Sequence, residues 1–402
     1  MFIRLKKLFE IKGYSLFVIC VLLVGFGISI TLPYLALYCT EVLGMSTGAF
    51  GAFIAISSLG GVLVNTLIAK RSDSGLDRKW LIITALLSSA LGYASYVVFQ
   101  NFFILLIVVT VFNGFGAIAM PQIFSYAQIS ANDSKSDDKT FAISTLRSLV
   151  SFGFVLGPLG GTLILAALGY KGLFLGTSTI FLLIASLMFM FLQKRTFQHT
   201  NKKKKMVSPK NRLVWQPMIA FIFLFALNAI NAIITPLFIV NEINGTYSDV
   251  GLVVSICAGL EIPIMIALGA FGKKISNHTL LIISCFIAVS YFAVLGVSDH
   301  LWQLIAAQFL QATFVAIVMG NGLSYFMDLL PDSPGVATSI YYNGSIIGRL
   351  VGNFGGGMIA QYVGFRDVYW VCIFISVLLI IILWTTKSGE KLKISIKTSH
   401  SC

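Results

Sequence analysis

Residues Ala117–Tyr126 read AIAMPQIFSY, and residues Ala316–Tyr325 read AIVMGNGLSY. The second stretch repeats the first about 200 residues later, with Ala, Ile, Met, Ser and Tyr in register. Apolar segments match one another by chance, so glycine, proline and charge are the better test. Gly160-Gly161 and Gly169-Tyr170-Lys171 are answered by Gly355-Gly356 and Gly364-Phe365-Arg366. Pro33, Glu41, Gly44 and Gly51 are answered by Pro236, Glu242, Gly245 and Gly251. The chain therefore reads as two tandem copies of one unit, residues 1–194 and 214–402. A basic linker at 195–213, with Lys202 to Lys205 and Ser208-Pro209, divides them.

Composition sets what each copy is made of. Of 402 residues, 57% are hydrophobic and 11% charged, too little polar surface to clothe a soluble globule. A membrane-crossing helix needs about 20 predominantly apolar residues. The pattern predicts twelve spans, at 14–38, 46–69, 80–98, 102–128, 139–167, 172–194, 214–240, 247–270, 278–296, 300–328, 335–361 and 366–386. The runs are too long and uninterrupted for the alternation of a membrane β-barrel. The expected fold is an all-α polytopic membrane protein, six spans per copy. Span 1 follows Arg4, Lys6, Lys7 and Lys12, but its apolar run exceeds that of a cleaved secretory signal, so it is expected to remain as a helix.

The basic residues orient the chain. Of 28 Lys and Arg, all but Arg147, Lys171, Arg349 and Arg366 fall at the two termini or in the even-to-odd connections, which places both termini in the cytoplasm. The net charge of +13 is mostly this topology signal. Nucleic acid is not an expected partner of Lys202 to Lys205, whereas anionic lipid headgroups are.

Cofactor and catalytic chemistry find little support. The six cysteines form no Cys-x-x-Cys pair, the four histidines lie in connections or tails, and no phosphate-binding loop occurs. No metal, no cofactor and no enzyme activity are expected, and neither is ATP-driven transport.

Three charges lie deep within the spans: Arg147, Glu261 and Arg349. Glu261, in Gly259–Met265 (GLEIPIM), falls roughly 21 Å along span 8 at 1.5 Å per residue, near the bilayer midplane. A charge there costs about 2.5–3.5 kcal/mol, so it faces a cavity or a partner. Glu261 either exchanges a proton or stays ionised, as the partner of Arg349 or Arg147 or as an acceptor of hydrogen bonds from helix ends. A cavity for a polar solute within the spans needs amides, aromatics and a charge or two. Tyr34, Asn113, Gln122, Tyr126, Asn231, Gln311, Asn321, Tyr325 and Asn343 are the candidates, each open equally to interhelical hydrogen bonding.

Two motifs bear on movement. Gly153–Gly161 (GFVLGPLGG) sets Gly153, Gly157 and Gly161 four apart around Pro158, which suits close helix packing or a bendable point. Ala69–Lys79 (AKRSDSGLDRK) offers Arg71, Asp73, Arg78 and Lys79 as gate charges, with Asp328 at the end of span 10 as a further helix-end or gate residue.

This arrangement resembles the major facilitator superfamily, which implies two six-helix bundles and alternating access. Gly153–Gly161 resembles the span-5 motif of its proton-coupled exporters. Ala69–Lys79 resembles its span 2–3 loop, with Ala69 for the leading glycine and Asp77 added. Thr110–Gly114 (TVFNG) departs from the exporters by lacking an arginine. Ala69–Lys79, Met120–Gln128 (MPQIFSYAQ), Gly259–Met265 and Tyr325–Ser339 (YFMDLLPDSPGVATS) together resemble the SET sugar efflux transporters over essentially all twelve spans. That resemblance implies export of sugars or glycosides, with proton antiport, by a monomer in a bacterial cell membrane. The alternatives are a multidrug/proton antiporter of amphipathic compounds and, more remotely, a membrane receptor that kept the fold.

Overall fold

The computed structural model describes residues 8, 13–72, 77–133, 139–193, 212–271, 275–331 and 334–385. Every extended element among them is helical, as the absence of bilayer water requires of segments that must satisfy their own backbone groups. In the first half these are α1 (Tyr14–Leu37), α2 (Thr47–Ser72), α3 (Arg78–Val98), α4 (Phe102–Gly116), α5 (Ala119–Asp133) and α6 (Lys139–Phe191). The second half has α7 (Arg212–Asn241), α8 (Tyr247–Phe271), α9 (Asn277–Val297), α10 (Leu301–Val315), α11 (Gly322–Leu329), α12 (Pro334–Val363) and α13 (Asp367–Thr385).

Ten helical stretches among the described residues are long and apolar enough to cross a membrane. One of them, Thr145–Phe191, is interrupted at Gly169 (φ 65, ψ −170) and so supplies two crossings. The 30-residue helix α12 lies outside the ten, being less apolar, and is long enough to cross as well. Gly364 repeats the positive φ (91) at the matching hairpin of the second half. Glycine suits both turns because it has no Cβ to oppose the left-handed backbone.

Polar caps start the helices. Asp77 accepts from Lys79 N at 3.0 Å to begin α3, and Asn101 accepts from Phe103 N and Ile104 N to begin α4. Thr246 and Asp249 cap α8 reciprocally, with Thr246 N donating to Asp249 Oδ2 at 2.7 Å.

Contacts divide the chain into two units, Met1–Met45 with Ile56–Lys202 and Ser46–Ala55 with Lys203–Cys402. In the first unit, α1 lies along α6 with backbone nearly touching backbone. A Cβ at Gly153 would fall 2.6 Å from Phe26 N, and one at Gly161 would fall 2.4 Å from Ile30 O. The second unit repeats the device between α7 and α12. Cβ atoms at Gly348 and Gly352 would each fall 2.3 Å from a carbonyl oxygen, of Ile222 and Ala226. The second unit also includes the start of α2, where Gly48 N donates to Gln361 Oε1 at 3.1 Å.

Candidate functional site

The two copies of the opening repeat distort their helices at the same place. After Ala117 the first copy breaks between α4 and α5, with Pro121 lacking the N–H that would have bonded back to Ala117. The second copy has no proline there and instead widens into a π turn over Ala316–Asn321. Tyr341 Oη on α12 donates to Met319 O within that turn at 3.2 Å. Interruptions at corresponding positions of two repeats, and π turns in particular, are marks of functional helices.

The helix that carries Glu261, α8, lies beside this turn. Met265, one helical turn further along α8, approaches Gly320 to 3.8 Å from an added Cβ. Glu261 is partly covered and forms no hydrogen bond or ion pair with a described residue. Arg349 on α12 is exposed, and its guanidinium reaches Ser345 O at 3.4 Å rather than Glu261. The ion pair with Arg349 weighed from sequence is therefore not formed. In the first unit Arg147 is exposed and likewise unpaired among the described residues. Asn343 on α12 is exposed with its amide uncommitted.

Most other candidates are spent inside their own bundles. Asn231 Oδ1 accepts from Thr235 Oγ1 at 2.7 Å and from Tyr291 Oη at 2.9 Å, tying α7 to α9. Gln311 Nε2 donates to Asn228 Oδ1 at 3.2 Å, joining α10 to α7, while its Oε1 is buried with no partner among the described residues. Asn321 donates to Asn277 Oδ1, and Asn277 donates to Asp328 Oδ2 at 2.7 Å, so Asn321 and Asp328 clasp the start of α9. Tyr325 is 2% exposed and stacks on Phe221.

The first unit treats its candidates similarly. Tyr34 Oη donates to Pro158 O at 2.8 Å, bracing the proline on α6. Tyr126 Oη donates to Gln193 O, and its ring meets Phe17. Asn113 packs where Gly92 leaves room, since a Cβ there would sit 2.5 Å from its Oδ1. Gln122 is 7% exposed, and its Oε1 has no partner among the described residues.

Among the gate candidates, Asp73 and the side chain of Arg71 lie outside the described residues. Arg78 donates to Ser125 Oγ on α5, and Lys79 Nζ donates to Phe189 O at 2.7 Å near the end of α6. Gly157 faces Ser29, whose Oγ donates to Gly153 O at 3.0 Å, so the glycine row is a packing seam around Pro158. No group of three or more His, Cys, Asp or Glu able to hold a metal occurs among the described residues.

Sequence reasoning missed an ionic cluster among the described residues. Arg366 pairs with Glu242 at 3.2 Å and Asp299 at 3.1 Å, and lies over the Phe238 ring at 5.3 Å. The signal was available, because Glu242 and Arg366 are both marked by the repeat.

Comparison with known proteins agrees with this architecture. Sugar efflux transporter A of Dickeya chrysanthemi is 27% identical, over 86% of this chain and 88% of its own. Sugar efflux transporter A of Escherichia coli is 28% identical, over 90% and 93%. The multi-drug resistance efflux pump PmrA of Streptococcus pneumoniae is 23% identical, over 90% and 94%. In structure, a variant of the nucleoside transporter NupG superposes with a TM-score of 0.80 at 13% identity, covering 93% of this chain and 99% of its own. The description of the Major Facilitator Superfamily matches residues 17–296 and 218–400. With its repeat, its all-helical units and that match, the chain belongs to the major facilitator superfamily.

Proposed function

We propose that the chain is a sugar efflux transporter of the bacterial inner membrane, exporting sugars or glycosides without transforming them. The observation that carries this reading is similarity to sugar efflux transporters over nearly the whole of both chains. Both termini and the basic linker lie in the cytoplasm, by the excess of Lys and Arg in those segments. The working form is a monomer, in which the copies 1–194 and 214–402 alternate in access and proton entry drives sugar exit.

Glu261 is the proposed coupling group. A carboxyl deep in a span with no cation held against it can lose and regain a proton without first breaking an ion pair. Arg349 and Asn343, on α12 of the same unit, supply uncommitted donors for sugar hydroxyls. In the cycle, a protonated Glu261 accompanies return of the empty carrier, and release of its proton to the cytoplasm accompanies loading of the sugar.

Efflux of a labelled disaccharide from proteoliposomes tests both parts. Wild type is expected to respond to an imposed pH gradient, whereas Glu261→Gln keeps sugar exchange and loses that response. An equal response from both removes Glu261 from coupling. Export of lipophilic dyes with no competition by sugars would select the multidrug reading.

A further inference from the structure

The first unit holds a cavity of about 310 Å³ whose lining includes Tyr38, Gln100, Tyr170, Lys171 and Phe174. That is the lower end of the range for ligand sites, about 300–1,000 Å³. Its wall is aromatic. The Tyr38 ring meets Phe174 at 4.7 Å and Tyr170 at 5.1 Å, and Tyr38 Oη is held by Tyr96 O at 2.6 Å. Its rim is polar, because Lys171 and Gln100 are exposed and make no hydrogen bond or ion pair with a described residue.

The repeat shows what this place becomes in the other copy. Lys171 answers Arg366, as Gly169 answers Gly364. Asn101 and His300 begin the matching helices α4 and α10, so the residues just before them, Gln100 and Asp299, answer each other. In the second unit the position is filled: Arg366 Nη2 pairs with Asp299 at 3.1 Å, and Nη1 donates to Gly296 O at 3.3 Å. Val97, the counterpart of Gly296, lines the cavity in the first unit. There the cation is a shorter lysine, the facing acid is an amide, and Glu41, the counterpart of Glu242, is not part of the lining. One copy thus closes this corner with a charge pair, and the other leaves an aromatic hollow rimmed by a free ammonium and a free amide.

We propose that this hollow is an accessory sugar site that takes a single pyranose ring. The ring's CH face lies against Tyr170, the partly exposed ring of the lining, and its hydroxyls accept from Lys171 Nζ and bond with the Gln100 amide. A cation with no acid in the lining disfavours cationic amphipaths and suits neutral or acidic sugars. The site sits at the hairpin ends remote from the basic connections, so in the proposed orientation it receives cargo on the exit side. The assignment rests on the sugar-efflux reading above.

Acylation of Lys171 in the full-length protein, reconstituted and read by mass spectrometry, tests the site directly. Methyl β-D-glucopyranoside is the probe. At about ten times its dissociation constant it is expected to slow acylation of Lys171 by roughly tenfold, because about one site in ten then stays open. Lys79, whose Nζ is held by Phe189 O, is expected to be unaffected. The double variant Lys171→Arg with Gln100→Asp rebuilds the second unit's pair and is expected to bind one glucoside fewer than wild type in equilibrium dialysis. Absence of protection in wild type, with glucoside export intact, overturns the accessory site alone. Absence of both protection and export overturns the sugar reading with it.

Discussion

At the residue scale, the contrast is between charges that are neutralised and charges that are not. Arg366 uses its planar fork fully, reaching Glu242, Asp299 and a backbone carbonyl while covering Phe238. Lysine offers a point charge and cannot span those partners together. Arg366→Lys is expected to cost about 0.5–1 kcal/mol, since the pair with Glu242 is partly exposed, the one with Asp299 is largely exposed and solvent screens both. A thermal melt in detergent reads this directly, and an unchanged midpoint would show that solvent screening cancels the cluster. Glu261, Arg147 and Arg349 are the opposite case. Sequence picked them out because charge is costly within a span. It left open which cation Glu261 meets, because partner choice depends on how neighbouring helices are rotated. The structure leaves the Glu261 carboxylate unpaired among the described residues.

At the element scale, glycine rows set how closely helices pack. Gly348, Gly352 and Gly356 on α12 face α7 as Gly153, Gly157 and Gly161 on α6 face α1. Only the first row stood out in sequence, because Pro158 and its doubled glycine gave it a known motif. The second was hidden in a glycine-rich stretch with no proline. Gly352→Val would drive a Cβ to 2.3 Å from Ala226 O, whereas at Gly355 nothing lies within 4 Å. Gly352→Val is expected to destabilise by about 1–3 kcal/mol or more, with Gly355→Val close to neutral. Size-exclusion profiles and melts of the two variants make the comparison, and equal behaviour would refute the packing role. The π turn makes a separate test. Tyr341→Phe removes the donor to Met319 O and is expected to cost about 1 kcal/mol and speed hydrogen exchange across residues 316–321. Unchanged exchange there would show that the turn holds without that bond.

At the scale of the whole molecule, orientation follows from where lysine and arginine collect. With the native cysteines replaced, Asn201→Cys in the basic linker is expected to react with an impermeant maleimide only after the membrane is opened. Ser46→Cys, just before α2, is expected to react in intact cells. The reverse pattern would invert the proposed direction of transport.

The division between sequence and tertiary structure runs through the repeat itself. AIAMPQIFSY and AIVMGNGLSY by themselves determined a duplicated membrane protein, because apolar length and matched glycine, proline and charge are written in one dimension. Pro121 marks in that record where the first copy breaks after Ala117, but nothing in it signals that the second copy, without a proline there, widens into a π turn. Nor did it separate the polar groups spent on hydrogen bonds, such as Asn231 and Asn321, from those left uncommitted among the described residues, such as Asn343 and Glu261. A helix presents a side chain every 100° or so, and only packing decides which of those directions meets a partner. Lys171 and Arg366 occupy the same place in the repeat, yet one rims a cavity and the other closes it. That difference comes from the reach of one side chain and the charge of the residue opposite, which act only once the fold brings them together.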